Sequence, residues 1–75
     1  MDEKEKQERF NRIATNRTNK ILDMLRLLGN CSNTSNYSYS EEQVKKIFLA
    51  IENEVKEQKS KFGRKEKNTK FSLLV

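Results

Sequence analysis

Apolar residues recur at helical spacing in two segments of this chain, and a polar segment separates them. Stripe 1 consists of Phe10, Ile13, Ala14, Ile21, Met24, Leu25 and Leu28, and stripe 2 of Val44, Ile47, Phe48, Ile51, Val55 and Phe62. An α-helix turns by about 100° per residue, so each set falls on one side of a helix. The sequence therefore predicts an all-α fold with two amphipathic helices.

The second helix has a clear start signal. Ser40 and Gln43 form the S-x-x-Q pattern of a capping box, in which each side chain bonds to the other residue's backbone amide. Tyr39 before the cap is expected to pack on Val44 as a hydrophobic staple. This helix is predicted to run to about Phe62, with Gly63 as its stop.

The first helix is predicted to span about Glu3 to Leu28, with Gly29-Asn30 as a left-handed C-terminal stop. The segment from Gly29 to Tyr39 is rich in Asn and Ser, whose short side chains compete for backbone hydrogen bonds and favour turns. It is predicted to be a loop, and it is longer than the connection of a helix-turn-helix motif.

The length of 75 residues, 33% of them hydrophobic, permits only a small core. Cys31 is the single cysteine and there is no histidine, so a disulfide within the chain or a zinc-type site is not expected to reinforce the fold. Leu22 and Leu27 lie off stripe 1 on either side, which makes residues 21–28 apolar nearly all round. We therefore predict an antiparallel two-helix hairpin that dimerises into a four-helix bundle.

The net charge of +5 is concentrated near the C-terminal end, because the residues after Val55 include seven Lys and Arg but two Glu. The sequence thus predicts a helical hairpin domain over residues 1–63 and a basic, flexible tail over residues 64–75. A basic tail attracts polyanions such as nucleic acid, through Arg64, Lys65, Lys67 and Lys70. A tail that only increases solubility is the alternative.

The polar side of the first predicted helix carries residue types that contact DNA. They fall within about a third of the helical circumference: Arg9, Arg12, Asn16, Asn19 and Lys20. Arg pairs with guanine edges, Asn pairs with adenine, and Lys holds phosphate, so this side would suit a major groove. Glu8 and Asp23 border it, and an ordinary solvated face is the alternative.

Arg17 lies in the middle of stripe 1 by periodicity. A buried guanidinium needs a partner, so pairing with Glu52 or Glu54 is favoured. The alternative is that Arg17 is exposed and available to an anionic ligand.

The C-terminal segment is apolar, with Phe71, Leu73, Leu74 and Val75. It is predicted to be a strap over the bundle, with a short strand or a peptide that docks on a protein partner as alternatives.

Enzymatic activity is not expected, because histidine is absent, Cys31 has no paired base in its loop, and no Gly-rich phosphate-binding loop is present. Asp23, Glu52 and Glu54 fit helix surfaces, so no metal or other cofactor is predicted. No apolar run is long enough for a membrane span and the first residues are charged, so a cytoplasmic protein without membrane contact is predicted.

Four segments carry a resemblance to a known group of proteins: Arg17-Thr18-Asn19-Lys20, Arg26-Leu27-Leu28-Gly29-Asn30, Ser32-Asn33-Thr34-Ser35-Asn36-Tyr37-Ser38-Tyr39 and Val44-Lys45-Lys46-Ile47-Phe48. Over residues 13–62 the chain resembles small uncharacterised helical proteins carried on plasmids, transposons and phages of Gram-positive bacteria. The resemblance implies a mobile-element setting, in which small DNA-binding or protein-inhibiting accessories are common.

Two functions remain open on the sequence. The first is a dimeric DNA-associated accessory or regulatory protein, and the second is a protein-binding adaptor or inhibitor acting through the helical bundle or the apolar C-terminal segment. The salt dependence of binding distinguishes the two functions, because the affinity of phosphate-driven binding falls steeply with salt concentration whereas that of apolar docking does not.

Overall fold

A computed structural model describes the backbone of residues 2–73 and the side chains of residues 2–63. The chain divides into two units, Met1–Ser38 and Tyr39–Val75, and each is described by itself. The described backbone contains two long α-helices, a short 3-10 helix and turns, and no strand. The predicted all-α class is confirmed for this part of the chain.

Helix α1 spans Glu3–Gly29, within one residue of the predicted range at its C-terminal end. Its first turn is held by a capping box that the sequence prediction missed. The amide of Glu5 donates to Oδ1 of Asp2 at 2.8 Å, and the amide of Asp2 donates to Oε1 of Glu5 at 3.2 Å. Two backbone N–H groups that have no partner in the helix are satisfied in this way.

The end of α1 differs from the prediction. Gly29 has φ −59° and ψ −30°, and Asn30 has φ −67° and ψ −16°, so neither is left-handed. The chain instead continues into a 3-10 helix over Asn30–Ser32. A tightened last turn satisfies helix-end carbonyls without a positive φ angle, which is why no left-handed residue is needed.

The connection between the helices is ordered by Asn33. Its carbonyl accepts from the amides of Asn36 at 3.2 Å and Tyr37 at 3.0 Å, and its side-chain Oδ1 accepts from the amide of Ser35 at 2.9 Å. The predicted loop is confirmed for residues 33–39, where Asn33 forms the side-chain-stabilised turn that this residue type favours, but Gly29 to Ser32 are helical.

Helix α2 spans Glu41–Leu73 and begins with the capping box predicted from the sequence. The amide of Gln43 donates to Oγ of Ser40 at 3.1 Å, and the amide of Ser40 donates to Oε1 of Gln43 at 2.8 Å. Glu41 and Glu42 lie in the first turn, where negative charge complements the helix dipole.

We expect Ser40→Ala to lower the free energy of unfolding by about 0.5–2 kcal/mol, because the Gln43 amide loses its acceptor. Chemical denaturation followed by circular dichroism measures this change. Ser38→Ala is the matched control, since Ser38 precedes α2 and caps no helix. Equal stability of Ser40→Ala and Ser38→Ala would contradict a capping role for Ser40.

The end of α2 also differs from the prediction. The helix does not stop at Gly63 but continues to Leu73, and Gly63 has no positive φ angle. The predicted stop at Gly63 and the alternative of a short strand are therefore wrong for the backbone of residues 64–73, while Leu74 and Val75 lie outside the described residues. The flexible tail over residues 64–75 stays a prediction. One glycine costs a helix about 1 kcal/mol, and Arg64, Lys65 and Glu66 after it are good helix formers.

Neither unit covers its own apolar stripe, and no described side chain is fully buried. Apart from Gly63, every described residue that is partly buried belongs to a stripe: Ile13, Ala14, Leu28, Val44 and Ile51. Other stripe residues, such as Met24 and Val55, are 64% and 57% exposed. The hairpin and the four-helix bundle stay predictions.

Candidate nucleic-acid interface

The five polar residues predicted to contact DNA lie on one uninterrupted helix. Arg9 and Lys20 bound the set, and all five side chains are exposed on α1. At 1.5 Å per residue the set extends over about 16 Å along the helix axis. The helical geometry therefore brings together the α1 residues that the sequence predicted to act together.

None of these five side chains is hydrogen-bonded or ion-paired to another described residue. Nearby charges are paired elsewhere: Arg26 Nη1 contacts Asp23 Oδ1 at 3.1 Å, and Lys6 Nζ contacts Glu3 Oε2 at 3.4 Å. Asp23, which borders the face, is thus partly neutralised by Arg26. The donors of the face remain available to an external acceptor.

Carboxylates reduce the positive character of the face at its N-terminal end. Glu5, Glu8, Arg9 and Arg12 line a shallow depression of about 340 Å³. Two carboxylates balance two guanidinium groups there, and Glu5 also caps α1. The basic and amide groups beyond this depression, from Asn16 to Lys20, are least opposed by carboxylates, so this part of the face suits an anionic partner best.

A second basic surface lies on the C-terminal half of α2. Lys56, Lys59 and Lys61 have exposed side chains on this helix. The predicted phosphate contacts follow them on the same helical backbone, although their side chains lie outside the described residues: Arg64, Lys65, Lys67 and Lys70. The sequence prediction counted these three lysines in the basic run after Val55 but did not name them as phosphate contacts.

Arg17 is exposed on α1. Within its own unit the Arg17 guanidinium is not buried. Glu54 accepts a hydrogen bond from Nε2 of Gln58 at 2.6 Å, and Glu52 is exposed. Pairing of Arg17 with either carboxylate stays a prediction.

A thiol site, a metal site and a membrane-spanning segment are the other possibilities, and none of the three is formed by the described residues. Cys31 is an exposed free thiol whose Sγ lies 4.0 Å from the carbonyl oxygen of Leu27. Within residues 2–63, no three acidic or thiol side chains are grouped so that they could hold a metal ion. Neither helix, over its described residues, combines the length and apolar character needed to cross a membrane.

Comparison of the chain with known protein families, curated protein sequences and solved structures finds no match.

Proposed function

We propose that this chain is a small non-catalytic, DNA-associated accessory or regulatory protein of a bacterial mobile element, acting in the cytoplasm as a homodimer without a cofactor. The observation that carries the proposal is the exposed face of α1, on which five Arg, Asn and Lys side chains lie together without a described intramolecular partner. The basic C-terminal half of α2 supplies a second contact with the phosphate backbone.

The proposed hairpin is supported by the matched lengths of the two stripes. Stripe 1 extends from Phe10 to Leu28 and stripe 2 from Val44 to Phe62, so each extends over 18 residue steps. Each stripe is therefore about 27 Å long. In an antiparallel pair, Leu28 would lie beside Val44 and Phe10 beside Phe62, and both stripes would be covered along their whole length.

The proposed dimer is supported by apolar residues that one partner helix cannot cover. Leu22 and Leu27 lie on opposite sides of stripe 1 and are 40% and 59% exposed. Burial of a leucine side chain contributes about 1.5–3 kcal/mol. A second copy of the chain supplies further helices to cover these residues, which gives the four-helix bundle.

The two basic surfaces are assigned different roles in DNA binding. The α1 face includes Arg12 and Asn16, which are suited to hydrogen bonds with base edges in a major groove about 12 Å wide. The α2 segment is rich in Lys, which binds phosphates without reading sequence. In this proposal, α1 selects the DNA sequence that is bound, and the C-terminal end of α2 supplies affinity for the DNA backbone.

We expect the double substitution Lys65→Gln and Lys67→Gln to weaken binding to every duplex to a similar extent. Each lost phosphate contact should reduce the slope of log affinity against log salt by about 0.9. Fluorescence anisotropy with a random duplex at several salt concentrations measures this slope. Gln has nearly the same helix propensity as Lys, so α2 should be retained.

Lys45→Gln with Lys46→Gln is the matched control, because it removes the same charge from the opposite end of α2. This control should retain most of the wild-type salt slope. Equal loss of slope in the two double variants would contradict a specific role for the C-terminal end of α2.

We expect Arg12→Ala or Asn16→Ala to reduce the preference for a selected site over random duplex. A bidentate base contact contributes roughly 1–3 kcal/mol to this preference. Selection from a random DNA library, followed by competition binding, provides the measurement. Thr15→Ala is the control, and an unchanged preference in both Arg12→Ala and Asn16→Ala would remove the base-reading role of α1.

The exposed stripes also favour a second candidate, a protein-binding adaptor or inhibitor. Stripe residues such as Met24 and Val55 present apolar surface in the described part of the chain. The C-terminal residues Phe71, Leu73, Leu74 and Val75 would add to such a surface. Absence of duplex binding at low salt, where counterion release most favours it, would make this the better proposal.

A further inference from the structure

Arg17 differs from the other cations of α1 in the charges that surround it along the helix. Residues three and four positions apart are neighbours on a helix surface. At these positions Arg17 has three apolar residues and Lys20, so α1 provides no carboxylate beside its guanidinium. The other six Lys and Arg of this helix, all of them described, each have an acidic residue three or four positions away: Lys4, Lys6, Arg9, Arg12, Lys20 and Arg26.

The guanidinium of Arg17 also has no partner within its own unit. Its side chain is exposed, and it makes no hydrogen bond or ion pair with another described residue. The nearest acidic residue along the chain is Asp23, which is bonded to Arg26 at 3.1 Å. Arg17 is therefore a positive charge that the described part of α1 leaves uncompensated.

Lys20 lies beside Arg17 on the helix surface. Three residues of an α-helix correspond to a rotation of about 300°, so the two residues are about 60° apart around the axis. Like charges at this spacing destabilise a helix, and an anion bound between them relieves the repulsion. Lys20 belongs to the α1 face that is proposed to contact DNA, and it lies at the edge of that face nearest to Arg17.

We propose that Arg17, together with Lys20, binds a phosphate of the DNA backbone. This inference rests on the proposed DNA binding and adds a residue that the α1 face does not include. A helix in a major groove is flanked by the two phosphate backbones, so side chains beyond the edge of its DNA-facing side reach phosphates rather than base edges. Arg17 would thus fix the position of α1 in the groove, while Arg12 and Asn16 contact the bases.

The long side chain of Arg17 is compatible with this role even when stripe 1 is covered by other helices. Its methylene groups can lie along the apolar stripe while the guanidinium reaches the edge of the stripe. A guanidinium binds phosphate through two parallel hydrogen bonds. One carboxylate, such as that of Glu52, would compensate one of the two neighbouring cations, whereas a DNA backbone presents a phosphate for each of them.

Arg17→Met tests the contact, because methionine is unbranched and a good helix former, so that α1 should be retained. For a random duplex, the slope of log affinity against log salt should decrease by about 0.9, the value for one phosphate contact. The affinities for random and selected duplexes should fall by the same factor, since a phosphate contact reads no sequence. Arg17→Lys should retain the wild-type slope, because lysine also neutralises one phosphate.

Lys4→Met is the matched control for Arg17→Met. It removes the same charge from α1, at a position where Glu8 lies four residues away and already compensates the lysine. This control should retain the wild-type salt slope. Equal slopes of the wild-type chain and Arg17→Met would overturn the contact, as would an equal loss of slope in Arg17→Met and Lys4→Met.

Thermal melting without DNA separates a phosphate contact from an ion pair within the folded chain. Arg17→Met should melt at the wild-type temperature or above it, because it places an apolar side chain on an apolar stripe. A lower melting temperature with an unchanged salt slope would assign Arg17 to an ion pair within the fold and overturn this inference alone. A wild-type chain that binds no duplex at low salt would overturn the proposed function and this inference with it.

Discussion

Replacing Ile51 with Asp is expected to remove most of the helical circular dichroism signal at micromolar concentration. Ile51 is a partly buried residue in the middle of stripe 2. Loss of its apolar contact costs about 1.5–3 kcal/mol, and placing an ionised carboxylate between packed helices costs several kcal/mol more. A chain of 75 residues has a total stability of about 4–11 kcal/mol, so the variant should be largely unfolded.

Asn53→Asp is the matched control for this substitution. Asn53 is exposed on the opposite side of α2, only two residues from Ile51. The same carboxylate at this position should change the free energy of unfolding by no more than about 0.5 kcal/mol. Equal helicity of the two variants would show that stripe 2 is not covered in solution.

The second large effect is expected on dilution of the wild-type chain. Since no described side chain is fully buried within one copy, association should supply much of the free energy of folding. Sedimentation should show a homodimer at micromolar concentration. Dilution below the dissociation constant should reduce helicity, and the melting temperature should rise with protein concentration.

A folded monomer with a cooperative melting transition independent of concentration would contradict this expectation. In that case a single hairpin would be sufficient to cover both stripes. The proposed DNA-binding residues on α1 would then act in one copy, without a second copy to double the contact.

The sequence predicted the elements of the fold well where local chemistry determines them. Stripe 1 located α1, and Ser40 with Gln43 located the start of α2, because helix periodicity and capping depend on residues within one turn. The capping box of Asp2 and Glu5 was equally readable from its D-x-x-E pattern.

The helix ends were predicted less well because glycine is only a weak stop signal. Gly29 and Gly63 have right-handed backbone conformations in the structure, and a Cβ added at either would meet no atom within 4 Å. Neither position therefore requires glycine. With no proline in the chain, the good helix formers after Gly63 allow α2 to continue.

The sequence predicted the position of the candidate interface residues but not their surroundings. The helical period was sufficient to place Arg9, Arg12, Asn16, Asn19 and Lys20 on one side of α1. The surroundings of these residues were not predictable, since the pairing of Asp23 with Arg26 depends on side-chain rotamers. The exposure of Arg17 was predicted only as the alternative to pairing, because periodicity assigns a residue to a stripe but does not show what covers the stripe.

Binding of the intact chain to a random DNA duplex at two salt concentrations tests the central claim most directly. We predict measurable affinity at low salt and a loss of roughly a hundredfold or more between about 50 and 200 mM salt, as expected for several phosphate contacts. Absence of binding even at low salt would contradict DNA association and favour the protein-binding adaptor.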